Sequence, residues 1–171
     1  FLRLLMIIFP SYLRKKLLLV TLLIPNLYAE TIASCEGLQG QSYYPNIGMF
    51  TDKDTSGWQD DGISNGKTSV IRNGNSFDIL FVDTLGDINS SKDQGAEIRL
   101  VMLDQNSFSL TSVFLNASVE IYSFWKNKEG NFRYSLTQVK GGSSLIPKNS
   151  LLIGNCSSIK FSWMEEMFGQ G

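Results

Sequence analysis

From about Lys67 to Lys160, apolar and polar residues alternate in one short run after another. A period of two sends successive side chains to opposite faces of an extended backbone, so these runs read as strands with one face turned to a core. In SFDILFVD, Phe77, Ile79 and Phe81 share one face. In AEIRLVML, Ala96, Ile98, Leu100 and Met102 oppose Glu97, Arg99, Val101 and Leu103. SFSLTSVFL, SVEIYSFWK and NFRYSLTQV continue the pattern. Turn-forming clusters separate the runs at Asn73-Gly74-Asn75, Asp104-Gln105-Asn106, Asn116-Ala117 and Lys128-Glu129-Gly130-Asn131, the last being the clearest hairpin. No helical stripe of useful length interrupts them, which excludes a βαβ pattern and points to an antiparallel meander.

The expected fold class is therefore all-β. Seven or eight strands need their edges managed, and a small antiparallel up-and-down β-barrel does this, with a β-sandwich as the alternative. Residues 67–161 form the β domain in this reading. Residues 30–66, rich in Gly, Asp, Asn and Ser, are expected to be irregular and to pack on the barrel. Residues 162–171 are a tail in which Met164 and Phe168, following Phe161, fall near helical spacing, suited to one docked turn.

The first 29 residues read as a cleaved secretory signal. SYLRKK at 11–16 is basic, LLLVTLLI at 17–24 is apolar, Pro25 breaks the run, and Ala29 is the small residue a signal peptidase needs. The apolar run is far shorter than the roughly 20 residues that span a bilayer, so no stable membrane anchor is expected after cleavage. The 142 residues that follow carry 11 basic and 16 acidic side chains without a basic cluster. A nucleic-acid partner needs such a footprint to neutralise phosphates, and that class is set aside.

Cys35 and Cys156 are the two cysteines. In an exported chain, periplasmic or extracellular, an even number implies a disulfide, here closing a loop of roughly 120 residues. A rival reading takes Ile32-Ala33-Ser34-Cys35 as a lipobox and anchors the chain by lipid on Cys35. The chain holds no histidine. Ser-His-Asp and Cys-His nucleophile systems and His-ligated zinc are thereby excluded, and the expectation is a protein that is not an enzyme. The strand carboxylates Asp78, Asp83, Glu97 and Glu120 are the remaining acid–base candidates, with Arg99 able to pair two of them at the surface.

Three groups of residues carry the binding hypotheses. The hairpin aromatics Tyr122, Phe124, Trp125, Phe132 and Tyr134 occupy both faces of two strands. One face meets the core, and the other is a candidate partner surface or cavity wall. Trp58 is expected to plug one end of the barrel, with ligand stacking as its other role. In DKDTSGWQDDG, Asp52, Asp54, Ser56 and Asp60 fall at positions 1, 3, 5 and 9 of a calcium loop with Gly57 at 6, but Ile63 stands where the bidentate carboxylate belongs. No cofactor other than that calcium is expected.

In size, export and strand rhythm the chain looks like lipocalin-like carriers and periplasmic inhibitors of lytic enzymes. The lipocalin Gly-any-Trp is not met, since Gly57 and Trp58 are adjacent. The functional expectation is a binding module for a small apolar ligand or a protein. The alternatives are an inhibitor or structural protein acting through loops, and a calcium-dependent module.

Overall fold

The computed structural model describes residues 29–47, 56–82, 85–142 and 144–168. Nine strands follow in order: β1 Glu30–Tyr44, β2 Gly57–Asn73, β3 Ser76–Val82, β4 Ile88–Ser90, β5 Glu97–Asp104, β6 Ser107–Phe114, β7 Ser118–Lys126, β8 Phe132–Lys140 and β9 Lys148–Ile159. One helix, α1, covers Ser162–Phe168. All strands belong to one antiparallel sheet in the order β4-β3-β2-β1-β9-β8-β7-β6-β5, curled into a half-barrel. The single continuous curved sheet answers the barrel-or-sandwich alternative, with nine strands in place of seven or eight.

Each chain neighbour is a ladder neighbour except β4 and β5, and one ladder joins strands that are not chain neighbours. β1 and β9 pair in mid-sheet, bringing the first and last strands together. From β4 the chain crosses to β5 through a turn in which Ser91 N–H donates to Ile79 O at 2.9 Å and Ala96 N–H to Ser91 O at 2.8 Å. There β3 approaches β5 without pairing with it.

Residues 30–66 depart from expectation, because they hold β1 and the first half of β2. The period-two signal fails in β1 for a physical reason. Its buried residues are Ile32, Ala33, Cys35, Leu38 and Ser42, and the register shifts between Thr31 and Ala33 and again between Glu36 and Leu38. Gly37, with φ of 70°, supplies the left-handed residue in the second shift. A further irregularity, between Leu100 and Met102 in β5, turns Met102 outward and Leu103 toward the core.

The inner wall is layered because cross-strand partners of β6 to β9 stay in register. Phe108, Phe124 and Tyr134 form one layer, closed by Gly154. Phe108 stacks on Phe124 at 4.8 Å and Phe124 on Tyr134 at 5.9 Å between ring centroids. Leu110, Tyr122, Leu136 and Leu152 form the next layer. α1 seals the aromatic end. Its Trp163 meets Phe77 of β3 and Phe108 of β6 edge to face at 5.5 and 5.3 Å, so one indole joins the two flanks of the half-barrel. The plug expected of Trp58 is thus made by Trp163. Trp58 stands on the outer surface, 68% exposed, edge to face with Tyr43.

Cys35 and Cys156 are bonded directly across the β1–β9 ladder. No helix among the described residues is long and apolar enough to cross a membrane.

Candidate functional site

The third layer of the inner wall is polar. Ser112, Glu120, Gln138 and Ser150 are cross-strand partners in sequence across β6, β7, β8 and β9, and Ser42 of β1 faces Ser150. All five are buried. Polar groups taken from water cost free energy unless they are hydrogen-bonded, so their connections matter. On one side, Ser42 Oγ lies 2.5 Å from Asp61 Oδ2 and 2.6 Å from Ser150 Oγ. A hydroxyl has one proton, so Ser42 donates to the carboxylate and accepts from Ser150. Asp61 also accepts from Lys148 Nζ, from Tyr44 Oη at 3.2 Å and from Gly62 N–H at 2.8 Å. Burial raises the Asp61 pKa, but the Lys148 and Ser42 hydrogen bonds and the Lys148 charge outweigh it and hold the group at about 2.

On the other side lies Glu120, only 7% exposed. Tyr122 Oη donates to its Oε2 at 2.8 Å. Gln138 Nε2 donates to Oε1 at 2.6 Å, and Ser118 Oγ approaches the same oxygen at 3.4 Å. Burial, then the charge of Glu120, pushes the Tyr122 phenol well above its usual range, so Tyr122 stays a donor. Three donors thus converge on this one carboxylate. Among the described residues no Lys or Arg lies within ion-pair distance of it, whereas Arg99 pairs with Glu97, Lys148 with Asp61 and Lys160 with Glu30.

Glu120 opens onto a cavity of about 510 Å³ between the two flanks of the half-barrel. Leu38, Phe81, Phe114, Tyr122, Tyr134 and Leu136 supply much of its apolar lining. Lys67 and Lys140 stand at its mouth with Ala117, Ser118 and Ser144. The cavity thus runs from a mouth with two cations, past the polar layer, to the Tyr134 ring. Burial raises the Tyr134 phenol, whose hydroxyl sits beside Thr68 without a hydrogen bond of good geometry. Ser112 Oγ, directly across the ladder from Glu120, is likewise buried without a partner among the described residues.

The aromatic hairpin divides as its alternation requires. Tyr122, Phe124 and Tyr134 point into the half-barrel and are buried, so they form no outer partner surface; Tyr122 and Tyr134 are cavity wall. Phe132 is half-buried against Phe161, at 6.3 Å between centroids. Trp125, half-buried, takes the other face with Val119 and Ile121. Trp58 stands outside and does not line the cavity.

Of the calcium-loop residues, Asp52 and Asp54 lie outside the described residues. Ser56 precedes β2, and Asp60 is exposed on it. Among the described residues no three acidic or cysteine side chains gather as a metal site would require. The strand carboxylates also separate. Asp78 accepts from Ser90 Oγ at 2.6 Å and from Lys92 N–H at 3.2 Å. Glu97 pairs with Arg99 at the surface. Asp83 lies outside the described residues, and Glu120 lines the cavity.

Sequence analysis named Glu120 as an acid–base candidate and did not name it among the ligand-surface residues. A carboxylate on the apolar face of a strand was the available signal, and Gln138 beside Leu136 and Tyr134 was a second. Comparison with known protein families, curated proteins and solved structures finds no match for this chain.

Proposed function

We propose that the chain is an exported, non-enzymatic binding module that holds a small, mainly apolar ligand inside the half-barrel. The observation that carries this reading is the open cavity of about 510 Å³, a size suited to small molecules, with an apolar wall and a few buried polar groups. The disulfide and the absence, among the described residues, of a helix long enough to cross a membrane are compatible with export. The signal segment proposed for residues 1–29 falls almost wholly outside the described residues.

A neutral apolar dye, N-phenyl-1-naphthylamine, tests the cavity. Its fluorescence is expected to rise saturably with one site per chain. Ala117→Trp, which sets an indole at the mouth, is expected to weaken that signal. A dye response that does not saturate, or that Ala117→Trp leaves untouched, would overturn the proposal.

A protein partner is the second reading, and one observation favours it. Val119 and Val139 pair on the outer face, and Ile121, Leu151 and Ile153 continue that exposed aliphatic stripe across β7, β8 and β9.

A further inference from the structure

We infer that the ligand carries an ammonium group, which Glu120 receives at the polar layer while the apolar body lies deeper against Leu136 and Tyr134. The inference rests on the cavity being a ligand site and adds the chemistry of the head group. A carboxylate withdrawn from water needs charge compensation as well as hydrogen bonds. Glu120 has three donors but, among the described residues, no ion-pair partner. The contrast with Asp61 in the adjoining part of the same layer is direct, because Asp61 has Lys148.

The geometry leaves room for an incoming donor. Oε1 already takes Gln138 and Ser118, whereas Oε2 takes Tyr122 alone. A carboxylate oxygen accepts about two hydrogen bonds, so one position on Oε2 is open. An ammonium has three N–H groups. The unused accepting position thus belongs to a buried carboxylate that lines the cavity. Lys67 and Lys140 bound the mouth one layer out and make no ion pair with Glu120. Their charge disfavours a simple cation in passage but offers a contact to an acidic substituent left at the mouth.

Calorimetric titration of the oxidised, signal-free chain with octylammonium, octan-1-ol and octanoate separates the alternatives, since the three share one apolar tail. Octylammonium is expected to bind about tenfold or more tightly than octan-1-ol, the scale of a hydrogen bond to a charged group. Glu120→Gln is expected to remove that preference and to leave octan-1-ol binding in place. Octanoate binding as tightly as octylammonium would overturn the inference and assign the head group to the mouth lysines. Equal affinity for all three, unchanged in Glu120→Gln, would overturn it while leaving the carrier reading intact. No saturable binding of any of them would overturn both. The wild-type series decides the matter without the variant, so a folding defect in Glu120→Gln does not protect the inference.

Discussion

Asp61 gathers four donors, and its environment makes a statement about acid stability. The folded chain keeps it ionised down to about pH 2, while its ordinary value is 3.8. As the pH falls below about 4, the unfolded chain takes up the proton first. The stabilisation is therefore complete above that value and is lost as the pH falls through about 2. Asp61 keeps some contact with solvent, so the contribution is roughly 1–2 kcal/mol. Urea midpoints measured from pH 5 to pH 2 are expected to fall less steeply for Asp61→Asn than for the wild type; parallel slopes would show that the carboxylate is not held in this way. Gly154 is a second residue whose identity has a mechanical cause. A Cβ there would meet the edge of the Tyr134 ring and lie 2.6 Å from the Glu36 carbonyl oxygen. Gly154→Ala is expected to cost about 1–3 kcal/mol in the same urea assay, the usual cost of forcing volume into a packed site. A midpoint unchanged from wild type would mean that the ring moves aside freely.

At the scale of elements, α1 closes the half-barrel through one side chain. Trp163 is buried against Phe77, Phe108 and the Arg72 guanidinium, which lies 5.3 Å from its ring centroid. Trp163→Ala removes the contact between the two flanks and is expected to cost about 3–5 kcal/mol. Trp58→Ala, on the exposed outer surface, is expected to change stability by less than about 0.5 kcal/mol. Denaturation of the two variants side by side checks this, and similar losses would restore Trp58 as the plug. The pair also shows what the chain's pattern could and could not disclose. β6, β7 and β8 were legible because each alternates without interruption, which also placed Glu120 on the inner face of β7. β1 was not, because its buried residues are irregularly spaced around register shifts, and a shift is set by the partner strand. β5 was half legible for the same reason, its alternation reversing after Leu100. The two tryptophans differ in local sequence, since Trp58 lies among small and acidic residues and Trp163 beside Phe161 and Met164 in the helically spaced tail. Which end of the half-barrel the tail helix seals was not legible, because that depends on the curl of the whole sheet. The cavity was illegible for a related reason. Its lining comes from β1, β2 and β3 on one flank and β6, β7 and β8 on the other, a juxtaposition that no single run encodes.

At the scale of the molecule, the topology places both termini of the sheet domain at its centre. β1 and β9 are neighbours there, while the free edges are β4 and β5, far from either end of the chain. The β1–β9 ladder is thus the one pairing that joins strands from opposite ends of the chain, and closing a loop that long carries a large entropic cost during folding. The Cys35–Cys156 bond spans 121 residues across that seam and removes most of the cost from the unfolded state. The double substitution Cys35→Ser with Cys156→Ser is therefore expected to lower stability by about 2–5 kcal/mol. The ladder continues on both sides of the bond, from Ala33 opposite Ile159 to Tyr43 opposite Asn149. The variant is consequently expected to keep its β-sheet circular dichroism while its urea midpoint falls and its unfolding slope rises, since the uncrosslinked chain exposes more surface when it unfolds. An unchanged midpoint would place the stabilising effect elsewhere. Loss of the sheet signal in water would mean that the seam does not form without the bond, and that oxidation comes before the sheet can join its two halves.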